Sequence, residues 1–117
     1  MNITIQVSID ATDANKFTVT IGRADLTNQG TGSIPLQWDI APANSAWNFA
    51  GNGIDVKNDN AGVFDPVAVG GPKRRTTNRK SGKAYGTTGV DRIYDYKVTV
   101  SNGTTTLIID PNIINQP

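Results

Sequence analysis

The sequence predicts an all-β fold, a single antiparallel Greek-key β-sandwich of about seven strands. Three observations carry that expectation. Apolar residues recur at every second position in several short segments, the period of a half-buried strand. Turn formers separate these segments, with 12 Asn and 12 Gly among 117 residues. Helix formers are scarce: all ten acidic residues are Asp and none is Glu, while 14 Thr supply stiff, β-branched side chains suited to a pleated surface.

Ile3, Ile5, Val7 and Ile9 alternate in the first strand, and Phe17, Val19 and Ile21 in the second. Asp10–Asn15 between them reads as a turn. A loop with Asn28, Gly30 and Gly32 leads to Ile34, Leu36, Trp38 and Ile40. Trp47 and Phe49 alternate next, and Ile54 and Val56 follow Gly51 and Gly53. Phe64, Val67 and Val69 make a weaker segment, interrupted by Pro66, which lacks a ladder donor and suits an edge.

Tyr94, Tyr96, Val98 and Val100 alternate against Asp95, Lys97 and Thr99. Asn102-Gly103 then predicts a two-residue type I′ turn, with positive φ at both positions. Thr104 to Ile109 returns, placing Leu107 and Ile109 on one face and Thr106 and Ile108 on the other. Asp110-Pro111 ends the pairing because proline has no N–H, and Asp110 reads as a cap for a nearby backbone donor. Gly70–Val90, rich in Gly, Thr, Lys and Arg, reads as one long basic loop. A loop of that length in a compact domain is usually functional or mobile.

Residues 1–117 fit one domain, long enough to bury roughly two-thirds of the unfolded surface without staples. The protein has no His and no Cys. That removes the usual general base near neutral pH, the thiolate nucleophile, and the nitrogen and sulfur ligands of zinc, copper and iron. No disulfide and no cofactor are expected. A net charge of +1 gives no global field to recruit nucleic acid. No apolar run approaches the ~20 residues of a membrane span. Residues 1–5 read as a strand rather than a secretory signal, and a cytoplasmic location is the expectation. Two glycosylation acceptors, at Asn2 and Asn102, are what chance gives in a sequence this rich in Asn and Thr.

Trp47-Asn48-Phe49 is followed by Gly53-Ile54, then Tyr94-Asp95-Tyr96-Lys97-Val98, then Leu107-Ile108-Ile109-Asp110-Pro111. In these the sequence resembles the DP-EP group, small bacterial proteins named for their Asp-Pro element. The resemblance implies a cupredoxin-like or immunoglobulin-like β-sandwich and implies no activity. Blue copper is excluded by inventory, since it needs His and Cys, and the one Met is Met1.

The first candidate site is basic. Lys73, Arg74, Arg75, Arg79, Lys80 and Lys83 put six of eleven positive charges into eleven residues with no acid among them. Thr76, Thr77, Asn78 and Ser81 offer phosphate donors, and Tyr85 offers a ring that stacks on a base. The 73–85 segment therefore reads either as a grip for an anionic ligand or acidic protein surface, or as a solvated loop whose like charges keep it extended. The second candidate is Asp55, Asp59 and Asp65 with Asn58 and Asn60, oxygen ligands of the kind calcium takes. The calcium-loop spacing is not met, and Asx turns explain these residues equally. No spacing selects a carboxylate pair for glycoside hydrolysis, and neither a Gly-x-Ser-x-Gly elbow nor Ser-x-x-Lys is present. The third candidate is aromatic. Trp38, Trp47, Phe49, Tyr94 and Tyr96 sit at core-like alternate positions; a sugar-stacking platform would need an exposed Trp beside Asn48 or Asn52.

The expected function is non-enzymatic: a small binding or structural-interaction module contacting an anionic partner through residues 73–85. The alternative is a carbohydrate-binding or calcium-linked adhesion module. Self-association through edge strands is expected at the first strand or at Val63–Val69.

Overall fold

The computed structural model describes the backbone of residues 3–13, 16–21 and 24–117, and the side chains of 3–8 and 24–117. Among these residues every regular element is a strand, and the strands form two packed sheets. The first sheet holds β1 (Ile3–Asp13), β2 (Lys16–Ile21), β4 (Ile34–Ala41), β6 (Ala68–Val69) and β7 (Arg74–Arg79), in the order β2-β1-β4-β7-β6. The second holds β3 (Ala24–Asp25), β5 (Asn48–Val56), β8 (Ile93–Ser101), β9 (Thr106–Ile109) and β10 (Asn112–Ile114), in the order β3-β10-β8-β5, with β9 also on β8. Most pairs are antiparallel; β1 runs parallel to β4 and β10 parallel to β3.

The inward set follows the alternation in the sequence. β4 buries Ile34, Leu36, Trp38 and Ile40, and β8 buries Tyr94, Tyr96, Val98 and Val100. These two strands face each other across the layers: the Trp38 indole N–H donates to the Tyr96 hydroxyl at 3.0 Å, and the rings lie 5.5 Å apart. Phe64 meets Tyr94 edge-on at 5.3 Å. Ile5, Val7, Leu26, Val63 and Ile113 complete one continuous core.

Several expectations need correction. Asp10–Asp13 continue β1 with a register shift, so no turn begins at Asp10; residues 14 and 15 lie outside the described residues. So do the side chains of Ile9, Phe17, Val19 and Ile21. The 102–105 turn is not a two-residue type I′ turn. Ser101 pairs with Thr106, leaving a four-residue loop in which Gly103 alone has positive φ. The Asn102 side chain explains the difference: its oxygen accepts the backbone N–H groups of Thr104 and Thr105, a local bond that competes with the tighter turn. At Asp110-Pro111 the edge breaks but resumes as β10, because the Pro111 carbonyl still accepts Tyr96 N–H at 3.0 Å. The first strand is no edge, since β1 lies between β2 and β4. The Val63–Val69 segment does run along the outer side of β7, with β6 at the end of the sheet.

The largest departure is Gly70–Val90. It is not one irregular loop: Arg74–Arg79 form β7, paired to β4 over six residues and to β6 on its other side. Hydrophobic periodicity missed this strand because its buried positions are Arg75, Thr77 and Arg79.

Candidate functional site

β7 divides the basic segment by the pleat, since successive side chains point to opposite faces. Arg75 and Arg79 point inward and are buried, 3% and 0% exposed. Arg75 donates from Nε to the Asn52 carbonyl and from Nη2 to that of Gly51, at 2.8 and 2.7 Å. Its Nη1 reaches the carbonyls of Gly71 and Arg74, and its guanidinium lies 5.0 Å from the Phe49 ring centroid. The acceptors are placed by a bulge in β5. Between the pairs Phe49–Val100 and Ile54–Val98 the backbone loops outward and turns Gly51 and Asn52 toward β7.

Arg79 donates from Nη2 to the carbonyls of Gly30 and Gly32, both at 2.8 Å. Its Nη1 reaches the Asn115 side-chain oxygen at 3.2 Å and the Gln116 carbonyl at 3.3 Å. Asn115, itself fully buried, donates onward to the carbonyls of Lys83 and Asp91. Lys73, two residues before Arg75 and on the same side, donates to the carbonyls of Ser45 and Trp47 and to the Asn48 side chain. Thr77 donates to the Asp65 carbonyl at 2.6 Å.

Lys73, Arg75, Thr77 and Arg79 thus form a rail of donors serving backbone carbonyls from irregular segments of both layers. Carbonyls without a ladder partner need another donor, and the rail supplies it from buried side chains. Desolvation pulls the pKa of Lys73, Arg75 and Arg79 below their usual values. Among the described residues none of the three forms an ion pair.

Arg74 points outward and pairs with Asp39 on β4 at 2.8 Å. Partial burial works to raise the Asp39 pKa. The hydrogen bonds from Arg74 and Gln37 and the Arg74 charge outweigh it and hold the carboxyl below its usual value. Lys80 is exposed and stands 3.9 Å from Asp65. Lys83 is half-buried and Tyr85 is 50% exposed, on the irregular connection that follows β7. The six expected cations therefore do not share one surface: Lys73, Arg75 and Arg79 are committed to the framework, Arg74 lies on a sheet face, Lys80 stands by Asp65 on the wall of the aspartate groove, and Lys83 follows half-buried.

The aspartate stretch lines a groove of about 490 Å³ between β5 and the 59–67 segment, with Asp55, Asp59 and Asp65 on its walls. The Asp59 carboxylate is spent on the N–H groups of Val63 and Phe64, at 2.7 and 3.0 Å. Asp55 pairs with Lys57. Among the described residues no three carboxylates gather as a metal site would require. Trp38 and Trp47 are both buried, 0% and 5% exposed, so neither offers an open stacking platform. Among the described residues no helix is long and apolar enough to cross a membrane.

The donor rail is what residue-by-residue reasoning missed. Its trace in the sequence is Lys73, Arg75, Thr77 and Arg79 at period two, bounded by Gly70-Gly71-Pro72 and Ser81-Gly82. No protein-family model matches the sequence, and no curated protein matches it either.

Proposed function

We propose that this protein is a non-enzymatic interaction module that meets an anionic partner through the exposed connection after β7, with Lys80, Lys83 and Tyr85 as its contacts. One observation carries this assignment. The framework consumes the charges of Lys73, Arg75 and Arg79, whereas Lys80 and Tyr85 on the connection after β7 are exposed, with Lys83 half-buried between them in sequence. Two ammonium groups and a stackable ring suit phosphate or carboxylate groups, with weak, salt-dependent affinity.

The test is a Lys80→Ala/Lys83→Ala/Tyr85→Ala variant, titrated with tripolyphosphate and a short single-stranded oligonucleotide at low salt. Binding by the parent protein should weaken as salt rises and vanish in the variant, with the melting temperature unchanged. Equal binding by the variant, or none by the parent protein, rejects the assignment.

The fold type belongs to the same proposal. The backbone passes from β4 to β5, back to β6 and β7, and on to β8, crossing between layers each time. That connectivity supports a Greek-key sandwich of the cupredoxin-like or immunoglobulin-like kind. Kinship with the DP-EP group is part of the proposal and rests on the sequence resemblance; its motif residues Trp47, Phe49, Tyr94, Tyr96 and Val98 lie in the core.

A further inference from the structure

At the far end of β8 from Lys83 and Tyr85, the Asn102-Gly103 loop gathers an unusual set of donors around one amide. The Asn102 side-chain oxygen accepts the N–H of Thr104 at 3.0 Å, the N–H of Thr105 at 2.8 Å and the Thr104 hydroxyl at 3.0 Å. On the other side, Gly103 N–H donates to the Ser101 hydroxyl at 3.1 Å. Asn102 and Gly103 are exposed. The backbone nitrogen of a glycine, with no side chain beside it, is also the least hindered nucleophile that a preceding asparagine can meet.

We propose that Asn102 is a self-modifying site, converted by its own loop to aspartate and isoaspartate. The Gly103 nitrogen attacks the amide carbon of the Asn102 side group. Its proton leaves toward the Ser101 oxygen and from there to water. Negative charge develops on the amide oxygen, where three donors already point, an arrangement that stabilises an oxyanion. The bond from the amide carbon to its NH₂ nitrogen then breaks, the leaving nitrogen takes a proton and departs as ammonia, and a succinimide closes. Water opens the ring at either carbonyl. One water is consumed, one ammonia is released, and nothing is oxidised or reduced. The net charge falls from +1 to zero, because an eleventh carboxylate joins eleven cations. An aspartate at this position accepts the same N–H groups, so the loop tolerates that product. The isoaspartate product lengthens the backbone and disrupts the loop.

An internal control lies at Asn52-Gly53. There the Asn52 carbonyl is held by Arg75 Nε at 2.8 Å, and Gly53 is buried with φ +74 against Phe49. The peptide group that must rotate to react is clamped on both sides.

Incubating the folded protein at mildly alkaline pH in oxygen-18 water, then mapping peptides by mass, measures both sites in one sample. Each event adds about 1 Da before the isotope is counted. In the folded protein Asn102 should convert at least about tenfold faster than Asn52, a barrier difference of about 1.4 kcal/mol. In urea the two rates should come within about twofold, since both are unclamped Asn-Gly pairs. Ser101→Ala and Thr104→Val should each slow Asn102 about threefold when folded and not in urea. Equal rates at the two sites in the folded protein overturn the proposal. So do variants that leave the folded Asn102 rate unchanged.

Discussion

Arg79 is the residue at which framework and ligand-binding roles part most sharply, and Arg79→Met separates them. Methionine keeps most of the volume and none of the donors. The arginine makes two hydrogen bonds of 2.8 Å and two of 3.2 and 3.3 Å from a fully buried guanidinium. Charge-assisted bonds contribute about 1.5 kcal/mol each when short and roughly half that when long, for a gross loss of about 4–5 kcal/mol. Part of that returns, because an unfolded guanidinium no longer has to be desolvated on folding. A net loss of about 3 kcal/mol follows, close to the cost of orphaning buried groups in general. In a domain of this size that is a fall in melting temperature of roughly 10–15 °C. Equilibrium urea unfolding gives the number directly. Arg74→Met is the control, because its side chain is 52% exposed and its ion pair with Asp39 lies on an open sheet face; its midpoint should stay within error of the parent protein. Arg79→Lys should fall between the two, since one ammonium cannot span Gly30, Gly32 and Asn115 at once. A loss below about 1 kcal/mol for Arg79→Met, or an equal loss for Arg74→Met, would refute the donor-rail argument.

Two further outcomes follow from the same geometry. Burial pushes the Tyr96 hydroxyl up to about 12 from 10.0, against the lowering effect of its bond from Trp38. The folded state therefore holds the phenol proton more tightly than the unfolded state does, so stability is intact below pH 10 and declines as pH rises from about 10 to 12. The loss should reach about 2–3 kcal/mol, followed by urea midpoints alongside tyrosinate absorbance. Tyr94, also raised chiefly by burial, adds to it with the same sign; a flat profile across that window would show that Tyr96 is not sealed in. Gly53→Ala places a Cβ 2.8 Å from the Phe49 Cβ at a φ of +74 and should cost about 2 kcal/mol or more. Gly103→Ala, at φ +97 with nothing within 4 Å, should cost about 1 kcal/mol in the same assay, the backbone strain alone.

The two inner strands were legible from composition and spacing because their buried positions are greasy. Ile34 to Ile40 and Tyr94 to Val100 alternate without interruption, and the structure buries each of those residues. The hairpin from β8 to β9 was legible in its register, with Leu107 half-buried and Ile108 at 59% exposure, but not in its turn. An Asn-Gly pair signals positive φ, and nothing in two letters says that the asparagine side group will outcompete its own backbone for the donors beyond it. β3, β6 and β10 span two or three residues each, too short for any period to register.

β7 was hidden for a deeper reason, and the same reason spreads the basic segment over more than one surface. Strand periodicity is read through hydrophobicity because burial normally selects apolar groups. In this sandwich, however, irregular segments leave carbonyls of Gly30, Gly32, Gly51, Asn52, Asp65 and Gln116 pointing inward. A protein without histidine has few side groups long enough, and rich enough in donors, to reach several such carbonyls from one strand. Arginine has five N–H donors and no acceptor to satisfy in return. The physical demand at those positions is for donors, so the period-two pattern is written in Arg, Thr and Arg instead of Val, Ile and Leu. Clustered positive charge is then a by-product of meeting backbone acceptors, and counting it as ligand-binding capacity overstates the surface available. Only residues that the pleat turns outward, or that lie beyond the strand's end, remain to meet a partner. On the proposed reading, Lys80, Lys83 and Tyr85 therefore come before Lys73, Arg75 and Arg79 as contacts.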